Sequence, residues 1–233
     1  MKHWLVFGLL LCGPALAQEA HTLKASDGAS IHLKYYAPEA APRAALILMH
    51  SMRSNTCEYG DFPEVLVKQG YAAITVDLRV GGSELGCQNL TKASNNDVFE
   101  ALLDIEASVE WLLQKTQLKQ VVLLGSSVSG SLSLDYAGHH PEQIQGIVTY
   151  SVASPDMDLT SEVIQFAPRI KAPVLMVSPQ EETSYPNQLL NLMGDIRKSV
   201  HVPAKGIHGA RALSEPGMAE EYRKVTLEFL QTL

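Results

Sequence analysis

Short apolar runs alternate with amphipathic stretches along most of this chain. Ala45–His50, Tyr71–Asp77, Gln120–Gly125, Gly146–Ser151, Pro173–Ser178 and Ser199–Val202 are mostly apolar, as strands covered on both faces should be. His21–Ala25 and Ile31–Tyr36 flank Asp27-Gly28, which predicts an antiparallel hairpin. Helical spacing fills the intervals. Phe62–Gln69 stops at Gly70, and Asn96–Lys115 carries Val98, Leu102, Ile105, Val109 and Leu112 on one stripe. Ser129–Gly138, Asn187–Met193 and Met218–Leu230 complete the set. This alternation predicts an α/β domain, a mainly parallel sheet with helices on both faces. No repeat, low-complexity tract or linker divides residues 18–233, so one domain is expected.

The first seventeen residues have another pattern. Lys2 precedes the apolar stretch Leu5–Cys12, and Ala15-Leu16-Ala17 follows, the three-part layout of a secretory signal peptide cleaved after Ala17. The apolar stretch is too short to span a bilayer, and Leu11 is bulkier than the residue that usually precedes an acylated cysteine. An exported protein, periplasmic or secreted, with no stable membrane insertion after signal removal is therefore expected. Cleavage takes Cys12 and leaves Cys57 and Cys87, and two thiols in an oxidising compartment are more often paired than free. Losing Lys2 takes the formal charge from −7 to −8, which argues against nucleic acid as the partner.

Candidate chemistry gathers after the run 120–125, in Gly125-Ser126-Ser127-Val128-Ser129. A nucleophile on a sharp strand-to-helix turn needs small residues two positions before and two after it. Ser127 has Gly125 and Ser129 there. Ser126 would have Leu124 and Val128, and Ser129 would have no glycine at either place. Ser127 is the candidate nucleophile, in a G-x-S-x-S pattern. A hydroxyl needs a base, and the base an acid, in the chain order serine, acid, histidine. His208, in the loop Lys205–Gly209, is the candidate base, whereas His201 lies inside a strand pattern. Glu182 leads the candidate acids, with Glu181 and Asp156 (or the nearby Asp158) as alternatives. Backbone N–H groups of Met52 and Val128 are the expected oxyanion donors, and His50 is expected to shape the loop rather than react. Arg53 and Arg79 sit in loops at the same end, where ordinary ion pairs are favoured over a substrate carboxylate.

Together LILMHSMR, VDLRVGGSELG, VVLLGSSVSG and KGIHGA resemble the α/β-hydrolase superfamily over roughly residues 22–233, in particular its small lidless dienelactone-hydrolase and carboxylesterase types. The resemblance implies a Ser-His-acid triad, a covalent acyl-enzyme, no cofactor and no metal. It also makes the third and fourth strands neighbours, so a Cys57–Cys87 disulfide would tie the oxyanion loop to the loop after Asp77. Ser51 and Ser129 stand where glycine is usual, and Val80 interrupts the usual glycine run after Asp77. Residues 152–172 leave room for about one helix and no cap domain. The expected function is an exported serine hydrolase cleaving carboxylic esters or thioesters on a small-molecule or acyl-ester substrate. The alternatives are a serine peptidase or acyltransferase on the same triad, or a non-catalytic binding module. Oligomeric state is left open.

Overall fold

In the computed structural model the described residues are 18–153 and 160–233. The first seventeen residues, with the expected signal peptide, and Asp156 and Asp158 lie outside them. Eight strands form one sheet: β1 (Gln18–Lys24), β2 (Ser30–Tyr36), β3 (Ala45–Met49), β4 (Ala72–Asp77), β5 (Val121–Ser126), β6 (Ile144–Tyr150), β7 (Val174–Val177) and β8 (Lys198–His201). Their order is β1-β2-β4-β3-β5-β6-β7-β8. β1 and β2 form the expected antiparallel hairpin and β2 also runs antiparallel to β4; every other pairing is parallel.

Strand residues alternate between two apolar layers because successive side chains leave opposite faces. Ala45, Ile47 and Met49 of β3, with Val121 and Leu123 of β5, join one core. Leu46 and Leu48, with Val122 and Leu124, join the other. Helices α2 (Ala101–Thr116), α3 (Val128–His139) and α5 (Ser184–Leu192) contribute buried residues to the first layer, as does Val163 of α4 (Thr160–Phe166). Helices α1 (Phe62–Lys68) and α6 (Ala219–Leu230) cover the second. Both faces of the central strands are thus sealed, which is why their sequences read as apolar runs.

One helix starts later than its periodicity suggests. The expected helix from Asn96 begins only at Ala101. The Asp97 carboxylate accepts the Phe99 and Glu100 N–H groups, and that local pairing holds residues 97–100 in turns. Among the described residues the β6–β7 connection holds α4 and a short 3₁₀ turn, Ala167–Arg169, and no cap. No described helix is long and apolar enough to cross a membrane.

Candidate active site

The turn between β5 and α3 sets Ser127 at φ 53°, ψ −114°, a conformation that non-glycine residues seldom adopt. Its neighbours permit the turn by their size. A Cβ on Gly125 would lie 2.3 Å from the Ser129 carbonyl oxygen, so only glycine fits there. Ser129 fits because its hydroxyl is used: Oγ accepts the Ser126 N–H at 2.8 Å and lies 2.6 Å from the Met49 carbonyl, at the end of β3. The departure from glycine at 129 therefore ties the turn to the neighbouring strand.

Five described non-glycine residues have positive φ: Arg53, Leu85, Gln117, Ser127 and Ser151. Gln117 caps α2. The other four lie in loops beyond the carboxyl ends of β3, β4, β5 and β6. Backbone strain is thus concentrated at one edge of the sheet, where parallel α/β sheets carry their sites.

His208 and Glu182 meet at this edge. Glu182 ends the short turn Gln180–Glu182 after β7, and His208 lies in the loop after β8. His208 Nδ1 is 2.8 Å from Glu182 Oε1. This hydrogen bond raises the His208 pKa above the ordinary histidine value, against the opposing effect of burial. Burial pushes the Glu182 carboxyl up, but hydrogen bonding from His208 and Ser151 outweighs it and leaves the pKa below the ordinary value. The structure thus pairs the leading candidate acid with the candidate base. Glu181 occupies the same turn, exposed, and the carboxylate bonded to the imidazole is that of Glu182.

The His208 loop reaches the nucleophile turn through the next two residues. Ala210 N–H donates to Ser126 Oγ at 2.9 Å. Gly209 has φ 85°, and a Cβ there would come within 2.8 Å of that same oxygen. Ser127 itself makes no hydrogen bond to a described side chain, so its hydroxyl is not bonded to His208 here. Contacts of this kind are often long until substrate binds. The N–H groups of Met52 and Val128 have no acceptor among the described residues, whereas the neighbouring Ser51 and Arg53 N–H groups are both taken.

The remaining candidates have structural partners. His50 is fully buried; its Nδ1 lies 2.7 Å from the Ser51 carbonyl and its Nε2 accepts the Leu78 N–H at 2.9 Å. Burial lowers its pKa, and it bridges two loops as a neutral ring. Arg79 is buried and pairs with Asp104, Asp27 and Glu100, so it has no reach toward a ligand. Arg53 is exposed at the rim, 4.0 Å from Glu84. His201 pairs with Glu221 of α6 at 3.1 Å, as an edge-strand histidine. Cys57 and Cys87 form a disulfide with Cα atoms 6.3 Å apart. Asn55 reinforces that link by donating to the Glu84 carbonyl at 2.7 Å.

A cavity of about 260 Å³ opens beside His208, walled by Ser51, Ser54, Glu58, Leu85, Ile207 and Arg211 among others. A second cavity of about 200 Å³, between Leu102, Leu103, Tyr136 and His139, is more apolar and includes none of the candidate catalytic groups. The sequence reading passed over Glu58, which is 3% exposed. It stands among polar residues in Asn55-Thr56-Cys57-Glu58, and nothing in that run marks it as buried.

The family model described as "Serine aminopeptidase, S33" matches residues 40–190. Acylamino-acid-releasing enzymes resemble the chain too. The human protein is 24% identical over 224 residues, 79% of this chain but 30% of its own length. The rat protein is 25% identical over 160 residues, 54% of this chain and 22% of its own length. The chain thus spans less than a third of these relatives. Among solved structures, a dienelactone hydrolase from Anabaena variabilis superposes with TM-score 0.74 at 19% identity, covering 93% of this chain and 98% of that one. An esterase from Pyrococcus furiosus gives TM-score 0.69 at 16% identity, with 93% of each chain covered. These structures share the fold rather than close sequence. With the family match extending over more than half of its residues, the chain belongs to the serine aminopeptidase, S33, family of α/β-hydrolases and is a serine hydrolase.

Proposed function

We propose that this protein is an exported hydrolase of carboxylic esters that works through Ser127, His208 and Glu182. The observation that carries the reading is the 2.8 Å contact between His208 Nδ1 and Glu182, made by loops that meet beside the strained Ser127 turn. Glu182 holds the tautomer in which Nε2 is free to accept a proton. The Ser127 hydroxyl attacks the acyl carbon while Nε2 takes its proton. The unpaired Met52 and Val128 N–H groups receive the negative charge that develops on the carbonyl oxygen. Collapse breaks the bond to the alcohol, which leaves with the proton from His208. Water, deprotonated by the same imidazole, then releases the acid and restores Ser127.

Because no cap separates β6 from β7 among the described residues, the site suits exposed or bulky acyl groups, thioesters included. Export is supported by the signal-like layout of residues 1–17 and by the Cys57–Cys87 disulfide. The family description and the acylamino-acid-releasing relatives favour a second reading, cleavage of acyl amides on the same triad.

The test uses a fluorophosphonate probe together with p-nitrophenyl esters and N-acyl-aminoacyl nitroanilides of graded acyl length. Labelling at Ser127, with turnover lost in Ser127→Ala and His208→Ala, is expected, and faster turnover of the esters. Turnover that survives in Ser127→Ala would overturn the mechanism, and preference for the nitroanilides would favour the amide reading.

A further inference from the structure

Glu58 is a buried carboxylate at the reacting edge that the mechanism above leaves without a task. It follows Cys57 in the short 3₁₀ turn Thr56–Tyr59 after β3. Its Oε2 accepts the Ser51 N–H at 2.7 Å and the Ser51 hydroxyl at 3.0 Å. Its Oε1 accepts the Ser126 hydroxyl at 2.5 Å and the Ala210 N–H at 3.2 Å. The partners come from three loops: Ser51 precedes the expected oxyanion donor Met52, Ser126 precedes Ser127, and Ala210 follows His208 by two residues. Charge-assisted hydrogen bonds are among the stronger polar contacts, and a buried carboxylate that accepts four of them fixes the relative position of all its donors. The turn that carries Glu58 is itself anchored, because the Tyr59 hydroxyl donates at 2.9 Å to the carbonyls of Met49 and Leu124.

We infer that Glu58 is a positioning residue of the hydrolase, holding the oxyanion loop, the nucleophile turn and the histidine loop in one register. The inference rests on the triad reading proposed above. The geometry also says why neither neighbour of Glu58 substitutes for it. Asp61 lies on the outside, paired with Arg223, and Cys57 is engaged in the disulfide. Glu58 further acts on His208 as a negative charge that favours the imidazolium, in concert with Glu182. The other charged side chains on the cavity wall shared with His208 are Glu84 and Arg211.

Two variants separate register from charge. Glu58→Gln keeps the length but presents an NH₂ to a cluster of donors, so either Ser51 N–H loses its acceptor or Ala210 N–H is left with Ser126 Oγ alone. Glu58→Asp keeps the charge but is one methylene too short to bridge Ser51 and Ser126 together. For Glu58→Gln we expect kcat to fall on the order of 100-fold with KM little changed, as a displacement of about 1 Å at the reacting groups would produce. The acid limb of its kcat/KM profile should move to lower pH, since one negative charge facing His208 is gone. For Glu58→Asp a comparable loss in kcat is expected with the acid limb near the wild-type position. Ser127 labelling by a fluorophosphonate in the wild-type chain is read in parallel. Absence of labelling and turnover there would reject the triad itself. Labelled, active wild type alongside Glu58→Gln with unchanged kcat and acid limb would reject only the role of Glu58. If neither variant folds, Glu58 serves stability alone and the inference is equally overturned.

Discussion

Replacing Glu182 with glutamine tests the acid assignment at its weakest atom. Glu182→Gln retains an oxygen able to accept from His208 Nδ1, so the ring is still oriented, but the negative charge facing the imidazolium is removed. The charges sit about 4 Å apart across the 2.8 Å contact, which corresponds to ~1 kcal/mol in bulk water and ~4 kcal/mol at an effective dielectric constant near 20. The His208 and Glu182 side chains are 55% and 30% exposed, so solvent screening keeps the value toward the lower part of that range. A loss of roughly 1–2 kcal/mol in the transition state lowers kcat by about 5- to 30-fold. The pH profile carries the sign. Glu182 raises the His208 pKa, so without the charge burial prevails and the acid limb of kcat/KM falls toward or below the ordinary value of 6.5. The variant would thus be slow at every pH yet keep its activity further into acid. Steady-state hydrolysis of p-nitrophenyl acetate from acidic to mildly alkaline pH measures both effects. Wild-type kcat with an unmoved acid limb would remove Glu182 from the relay and return the assignment to Glu181 or Asp156.

Two stability outcomes follow from the loops behind the site. The Cys57–Cys87 disulfide closes a loop of 30 residues in sequence separation, which by chain entropy is worth about 3–4 kcal/mol. The double variant Cys57→Ser/Cys87→Ser should melt roughly 10 °C lower by calorimetry, and an unchanged Tm would refute the estimate. Arg79→Ala leaves the fully buried Asp104 without its guanidinium, and urea unfolding should show a loss of about 3–5 kcal/mol. A loss under ~1 kcal/mol would mean that Asp104 finds other compensation.

The sheet was legible because its central strands are covered on both faces, and continuous apolar runs such as Ala45–Met49 leave no other economical arrangement. Ser127, His208 and Glu182 could be singled out as candidates because each lies in a loop after a strand, in the chain order serine, acid, histidine, and because Ser127 has small residues on both sides. Choosing between Glu182 and Glu181 needed the course of the turn, since both are charged residues in one loop. Asp104 and Glu58 were not legible. Asp104 falls on the apolar stripe of α2, between Ala101 and Ile105, and reads as an interruption of the stripe until Arg79 is seen to occupy the space opposite. Glu58 looks like a solvated loop charge because its partners are two backbone N–H groups and two hydroxyls, none of which carries a charge that sequence could match with it. Local pattern reports which face a residue prefers. It does not report which distant donors will converge on it.

The serines at 51 and 129 bear on whether this site has decayed or been rebuilt. Glycine is usual at both positions because the backbone must pass close to its neighbours, and a serine left by drift would have an idle or clashing hydroxyl. Neither hydroxyl is idle. Ser129 Oγ bonds to Ser126 and reaches the end of β3, and Ser51 Oγ joins its own N–H on Glu58. Each such bond is worth about 1 kcal/mol. The two serines lie on either side of the same carboxylate: Ser51 binds it directly, and Ser129 fixes Ser126, which also binds it. A glycine at either place would remove that hydroxyl's bonds and leave Glu58 its contacts with the backbone N–H at 51, the Ser126 hydroxyl and the Ala210 N–H. The departures from the usual pattern therefore belong with Glu58, as parts of one hydrogen-bonded frame around Ser127. Both hydroxyls add bonds to a frame that the carboxylate anchors, and that joint use argues for a maintained site.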